Sequence, residues 1–150
     1  MTGADVEEVS ALIDNLCKLE HDNYDDTINP NYSKSDLGMK FIDERRVGKD
    51  SLCLVAEEGN RVIGYFFGSI AFPEEYRLQD KIGIGESMFL EEKYRRQGIG
   101  ARFLNMFEDW CREQGVRRTR LVASSRNTRA IKLYTQKGYE EYDITLEKNL

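Results

Sequence analysis

A chain of 150 residues has room for one domain of ordinary size, and the sequence predicts a single domain over residues 1–150. With 40% hydrophobic and 33% charged residues, two prolines and no apolar run of the ~18–20 residues that a bilayer requires, it excludes disordered, collagen-like and membrane-spanning chains. A net charge of −5 argues against a nucleic-acid partner, and three cysteines with one histidine are poor material for a disulfide framework, a metal centre or a histidine-based triad.

Met1–Ser10 carries acidic but no basic side chains, unlike a secretory or transit leader, and with it the unpaired cysteines predict a cytoplasmic protein. Val6, Val9, Leu12, Ile13, Leu16 and Leu19 recur at three- and four-residue steps, which predicts an amphipathic helix with Asp5 as N-cap and Glu8 closing a capping box. His21–Asn31 is polar and acidic and contains Pro30, so it reads as a loop. Ser35 or Asp36 caps a second helix through Leu37, Phe41 and Ile42 that ends near Gly48. The period then changes. Ser51–Ala56 and Val62–Ile70, on either side of Glu58-Gly59-Asn60, predict a hairpin, and Ile82–Leu90 a third strand. Ile99, Phe103, Met106, Phe107 and Trp110 mark one face of a helix that Gly115 closes. Arg120–Ala123 reads as strand, Thr128–Lys137 as helix and Tyr139–Leu146 as a final strand. This order predicts an α/β (α+β) fold, a mixed central sheet flanked by helices, with two parallel strands joined by the long helix.

The segment between the third strand and that helix, Leu90 to Ala101, is the most informative. Arg95, Arg96, Gly98 and Gly100 stand at the helix entrance, where the first N–H groups lack intrahelical partners and the helix dipole attracts anions. Glycine lets a ligand approach the backbone, and the arginines can pair with phosphate oxygens. A tight helix entry without ligand is the plainer alternative. No GxxxxGK[ST] is present. Gly83-x-Gly85 meets Met88 where a dinucleotide fingerprint has a third glycine.

Tyr94-Arg-Arg-Gln-Gly-Ile-Gly100, followed by Asn127-x-x-Ala-Ile-x-Leu-Tyr-x-x-x-Gly138-Tyr139, resembles the GNAT (Gcn5-related N-acetyltransferase) superfamily. The paired motifs lie within Ile82–Tyr139, and the upstream element order agrees. The family's first strand precedes its first helix; only Met1–Ala4 are free for it here, so that strand should be short or absent. The resemblance implies the GNAT fold and transfer of acetyl from acetyl-CoA, as co-substrate without a metal, to an amine. By the same resemblance Arg95, Arg96, Gln97, Gly98, Gly100 and Ala101 match the pyrophosphate loop. Met88, Phe89 and Leu90 match the strand segment beside the pantetheine arm, with Met88 or a neighbour giving an N–H to the oxyanion, and Asn127 matches a pantetheine-side asparagine.

Such a reaction needs a base for the ammonium, donors for the oxyanion and an acid for the departing thiolate. Asn127, Ala130, Ile131 and Tyr134 fall at i, i+3, i+4 and i+7 and share a helix face, and the motif match makes Tyr134 the candidate general acid; an ordinary core tyrosine is the alternative. Glu86 stands in an apolar strand, on the face of Leu90 if pairing is regular, and is the candidate base; a salt-bridged strand residue or a base reached through water is its competitor. His21 either fastens the end of the first helix or contacts the acceptor. Glu20, Asp22, Asp25, Asp26 and Glu86 are candidates for an acidic acceptor mouth. The sequence thus predicts an acetyl-CoA-dependent N-acetyltransferase acting on a small cationic amine such as a polyamine, amino sugar or amino acid derivative. It would work by direct attack in a ternary complex, as a monomer or homodimer, with neither nucleic acid nor membrane as partner. A protein N-terminal or lysine acetyltransferase and a non-catalytic acyl-CoA sensor are the alternatives.

Overall fold

A computed structural model describes residues 1–73, 75–78, 81–148 and 150. Helix α1 spans Val6–Asn23 and α2 Asp36–Val47; strands β1 Ser51–Glu58, β2 Arg61–Ala71 and β3 Ile82–Leu90 follow, then α3 Ile99–Glu113, β4 Thr119–Leu121 and α4 Thr128–Gln136. The sheet runs β1-β2-β3-β4, antiparallel twice and then parallel between β3 and β4, as the strand–helix–strand order requires.

From Val62 to Gly68 β2 is apolar and buried because both its faces are covered. Tyr65 and Phe67 point to one side, where Val9, Leu12 and Ile13 of α1 and Ile42 of α2 pack. Phe66 points to the other, against Phe103, Leu104 and Phe107 of α3. The rings of Phe66 and Phe107 lie 5.1 Å apart, and Phe107 is fully buried. Phe107→Ala should therefore cost about 3–5 kcal/mol, read as a lowered urea midpoint; a loss under about 1 kcal/mol would mean that this face repacks around the gap.

Several local readings need correction. The capping box lies one turn earlier than predicted. Thr2 Oγ accepts from the Ala4 N–H, and the Asp5 carboxylate accepts from the Thr2 N–H, around a 3-10 turn over Gly3–Asp5. Asp5 makes no side-chain cap to α1, and Glu8 instead accepts from the Val62 N–H at 2.8 Å, tying the helix to β2. Ser35 is the N-cap of α2, accepting from the Gly38 N–H at 3.1 Å. Leu37 and Met106 carry apolar side chains but stay exposed. Among the described residues no strand precedes α1.

The final strand is the largest correction. Residues 139–146 are not strand, and Ile144 and Leu146 are 78% and 91% exposed. Their alternation fits a strand only where an edge of matching length exists, and β4 is three residues long, ending two residues before the predicted Ala123. Contacts of Tyr139 and Tyr142 hold the segment instead: the Thr119 hydroxyl donates to the Tyr139 hydroxyl at 3.1 Å, and Arg120 lies 5.0 Å from the Tyr142 ring centre.

Candidate active site

The short β4 creates the site. It stops at Leu121, opposite Gly85, so the last residues of β3 have no strand on that side. The Glu91 N–H bonds to the Ile63 carbonyl on β2. By the alternation of an antiparallel strand, Phe89 also faces β2, whereas the N–H and C=O groups of Met88 and Leu90 face the open edge. The Leu90 carbonyl there accepts from Arg95 Nε at 2.7 Å. A cleft of about 270 Å³ occupies the gap. Leu16, Cys17 and Glu20 of α1 form one wall, Ala130 and Tyr134 of α4 with its N-cap Asn127 the other, and Glu86, Ser87 and Met88 the floor.

β3 bulges at Glu86. Phe67 pairs with Ser87 and Gly68 with Gly85, leaving Glu86 as the extra residue. Two consecutive side chains thus face the α1–α2 side: Glu86 bonds to Arg45 and Ser69, and Ser87 to the Tyr65 hydroxyl at 2.7 Å. The prediction that Glu86 shares a face with Leu90 is therefore corrected, since Leu90 and Met88 pack toward α3. A pattern of period two does not show a bulge in advance.

Beyond the end of β3 the chain makes a 3-10 turn over Glu92–Tyr94 and enters α3. Arg96 and Gly98 both have left-handed backbones, φ 62° and 81°. Gly98 is the N-cap of α3 and supplies no side-chain cap, so the N–H groups of Ile99, Gly100 and Ala101 are free of helical partners. A Cβ on Gly98 would meet nothing within 4 Å, while one on Gly100 would lie 3.2 Å from Leu133 Cδ2. Arg95, Arg96 and Arg129, with the carboxylate of Glu92, line a hollow of about 250 Å³ beside this entrance. Burial, and then the neighbouring Arg129 charge, push the Arg95 guanidinium below its usual range; it also lies 5.2 Å from the Phe89 ring centre. The Gln97 side chain donates to the Lys93 carbonyl at 3.0 Å and so braces the loop. Three arginines against one carboxylate, next in the chain to a helix start with unpaired N–H groups, fit a polyphosphate, and the open edge of Met88 and Leu90 fits an amide-bearing arm. Gly83 and Gly85 serve packing, since a Cβ on them would strike Cys111 and Leu121.

Tyr134 is half-buried on the cleft wall with its ring 6.2 Å from that of Tyr139, and burial followed by the charge of Glu20 raises its phenol. Glu86 accepts from Arg45 Nε at 2.5 Å and Nη2 at 2.8 Å and from Ser69 Oγ at 2.8 Å. Asn127 accepts from the Ala130 N–H at 3.1 Å, so it caps α4 with its oxygen while lining the cleft. His21 bonds through Nδ1 to the Ile28 carbonyl at 2.9 Å, fastening the acidic loop, and is not among the cleft-lining residues. Of the acidic mouth only Glu20 and Glu86 line the cleft; Asp25 stays exposed in a local turn with Thr27, whose hydroxyl and N–H bond to it and lower it. Burial raises the Cys17 thiol and lifts Cys53 and Cys111 to about 11, so none is a ready thiolate. Sequence reasoning misses Arg45 and Arg129: each lies far along the chain from its partners, and only the helical positions of two ordinary arginines mark them.

Residues 13–139 match the Acetyltransferase (GNAT) family. Over 106 residues the chain is 30% identical to YhfO of Bacillus subtilis, named an uncharacterized N-acetyltransferase; the match covers 67% of this chain and 66%, just under two thirds, of YhfO. Among solved structures, a mutant form of the BH1408 protein from Bacillus halodurans superposes with a TM-score of 0.87 at 22% identity, covering 100% of this chain and 96% of that one. AAC(6')-Iy, in complex with the bisubstrate analog CoA-S-monomethyl-acetylneamine, gives a TM-score of 0.78 at 16% identity, covering 100% and 94%. At such identities these structures establish the fold.

Proposed function

The chain belongs to the GNAT family of acetyltransferases, and from that premise we propose that it transfers acetyl from acetyl-CoA to the primary amine of a small cationic acceptor, by direct attack in a ternary complex. The observation that carries this reading is a division of charge between the α3 entrance and the cleft beside β3. Arg95, Arg96 and Arg129 outnumber Glu92 at the α3 entrance, while Glu20 faces the gap beside Tyr134 and Glu86 lines it paired to Arg45. Opposite fields at the two places suit an anionic co-substrate and a cationic amine. A neighbour of the same fold is in complex with the bisubstrate analog CoA-S-monomethyl-acetylneamine, which supports a small acceptor.

In this reading the N–H groups at the start of α3 and the three arginines hold the pyrophosphate. The Met88–Leu90 edge pairs with the pantetheine arm, the Asn127 amide faces it, and the Met88 N–H meets the negative charge that grows on the thioester oxygen. Tyr134 gives its proton to the leaving sulfur. Three free cysteines support a reducing, cytoplasmic setting, and among the described residues no helix is long and apolar enough to cross a membrane.

An amine panel tests the reading, with release of free CoA thiol as signal and peptides with a free N-terminus or lysine among the acceptors. Small cationic amines are expected to turn over best. Their KM should rise roughly threefold or more with added salt, as the screening length contracts below about 8 Å. A preference for neutral amines or for peptides would overturn it.

A further inference from the structure

Two carboxylates reach the cleft floor and wall, and they differ in how they are held. Glu86 already accepts three hydrogen bonds, two of them from one guanidinium. Glu20 is the opposite case. It is half-buried on the last turns of α1, and among the described residues no hydrogen bond or ion pair reaches its carboxylate. We propose that Glu20, rather than Glu86, receives the acceptor's ammonium and takes its proton; this rests on the direct-attack reading above.

The placement follows from the helix. Ile13, Leu16, Cys17 and Glu20 fall at i, i+3, i+4 and i+7, so one stripe of α1 faces the cleft. Three members are apolar or thiol-bearing, and the stripe ends on a carboxylate facing the α4 wall that carries Tyr134. A half-buried carboxylate without a counter-charge is costly, and an incoming ammonium supplies what the fold withholds. The titratable groups whose charge interacts with that of Glu20 are Cys17 on its own helix, Asp25 in the following loop, Tyr65 on β2 and Tyr134 on α4. None is a cation. Arg126 is drawn to the Tyr24 carbonyl and to Asp25 instead. Burial, then the Asp25 charge, lift the Glu20 carboxyl above its ordinary range, which improves it as a proton acceptor while Tyr134 stays protonated.

The protons balance. Glu20 takes one from the ammonium, the freed lone pair forms the C–N bond, and the C–S bond breaks. The sulfur takes the phenol proton of Tyr134, the phenolate recovers one from the amide nitrogen, and Glu20 releases its own to water.

The test compares the pH dependence of kcat/KM in Glu20→Gln, Glu20→Asp and Glu86→Gln with a cationic amine as acceptor, and acetyl-CoA binding by calorimetry as the control for folding. The wild type should be level between the Glu20 and amine pKa values, falling on the acid side as Glu20 protonates. Glu20→Gln should lose about 10²-fold at neutral pH and then climb tenfold per pH unit, since only pre-deprotonated amine reacts. Glu20→Asp keeps the charge and should keep the level profile at a lower rate, and Glu86→Gln should keep it too. A level, wild-type profile in Glu20→Gln, or a slope appearing only in Glu86→Gln, overturns the assignment. Failure of the direct-attack reading shows separately, as a wild type that transfers acetyl to no cationic amine, and it takes this assignment with it.

Discussion

Gly98→Val is expected to weaken acetyl-CoA binding about a hundredfold while the protein still folds. Gly98 sits at φ 81° as the N-cap of α3, a conformation that costs an L-residue roughly 1–2 kcal/mol, and valine more than most because its branch is at Cβ. The strain falls where the ligand needs the backbone. Rotating the turn toward a relaxed conformation re-aims the free N–H groups of Ile99 and Gly100, and each charge-assisted bond lost to a phosphate is worth about 1.5–3 kcal/mol. A Cβ at Gly98 meets nothing within 4 Å, so no core contact is disturbed. Calorimetry gives the affinity, and a melt should show a fall of about 2–8 °C for the strain. Gly100→Ala is a useful companion, since its Cβ would press on Leu133 at 3.2 Å and report packing at the same helix. Wild-type affinity in a folded Gly98→Val protein would remove the anion-loop assignment.

What is legible in the sequence is what is encoded locally. The helical periods of α1 and α3, the limits of β3 and the glycine-bearing α3 entrance all depend on residues within a few positions of each other. The errors arise where a partner from elsewhere decides. Tyr142, Ile144 and Leu146 alternate like a strand, but a strand also needs an edge, and β4 offers three residues. Counting in twos puts Glu86 on the face of Leu90, and the bulge that turns it toward Arg45 depends on β2 pairing across Phe67 and Gly68. The acidic run Glu20–Asp26 reads as uniform in one dimension. Burial separates its members: Glu20 lines the cleft, while Asp25 is spent on a local turn with Thr27. Arg129 joins the arginines before α3 only because α4 packs beside that entrance.

Tyr134→Phe is expected to lower kcat about 10²-fold and leave acetyl-CoA affinity close to wild type. The substitution keeps the ring that packs against Tyr139 and removes only the hydroxyl, which has no hydrogen-bond partner among the described residues, so stability should hardly move. The hydroxyl lies on the α4 wall of the cleft whose floor includes Met88, where the leaving sulfur would come to rest in the direct-attack reading. Its acidity sets a pH signature. Burial first and the Glu20 charge second hold the phenol above its usual value near 10, so the proton-donating form persists through the alkaline range. Wild-type kcat should therefore show no tyrosine limb up to about pH 10. The same elevation makes Tyr134 a weak acid toward a thiolate whose conjugate acid lies near about 8.5, so the proton must move as the C–S bond opens rather than before it. This links the two sides of the cleft. Neutralising Glu20 removes one of the two influences that raise the phenol, so Tyr134→Phe and Glu20→Gln should combine with a clear departure from additivity in kcat. Full kcat in Tyr134→Phe would instead leave protonation of the sulfur to water in the cleft, and the coupling would vanish with it.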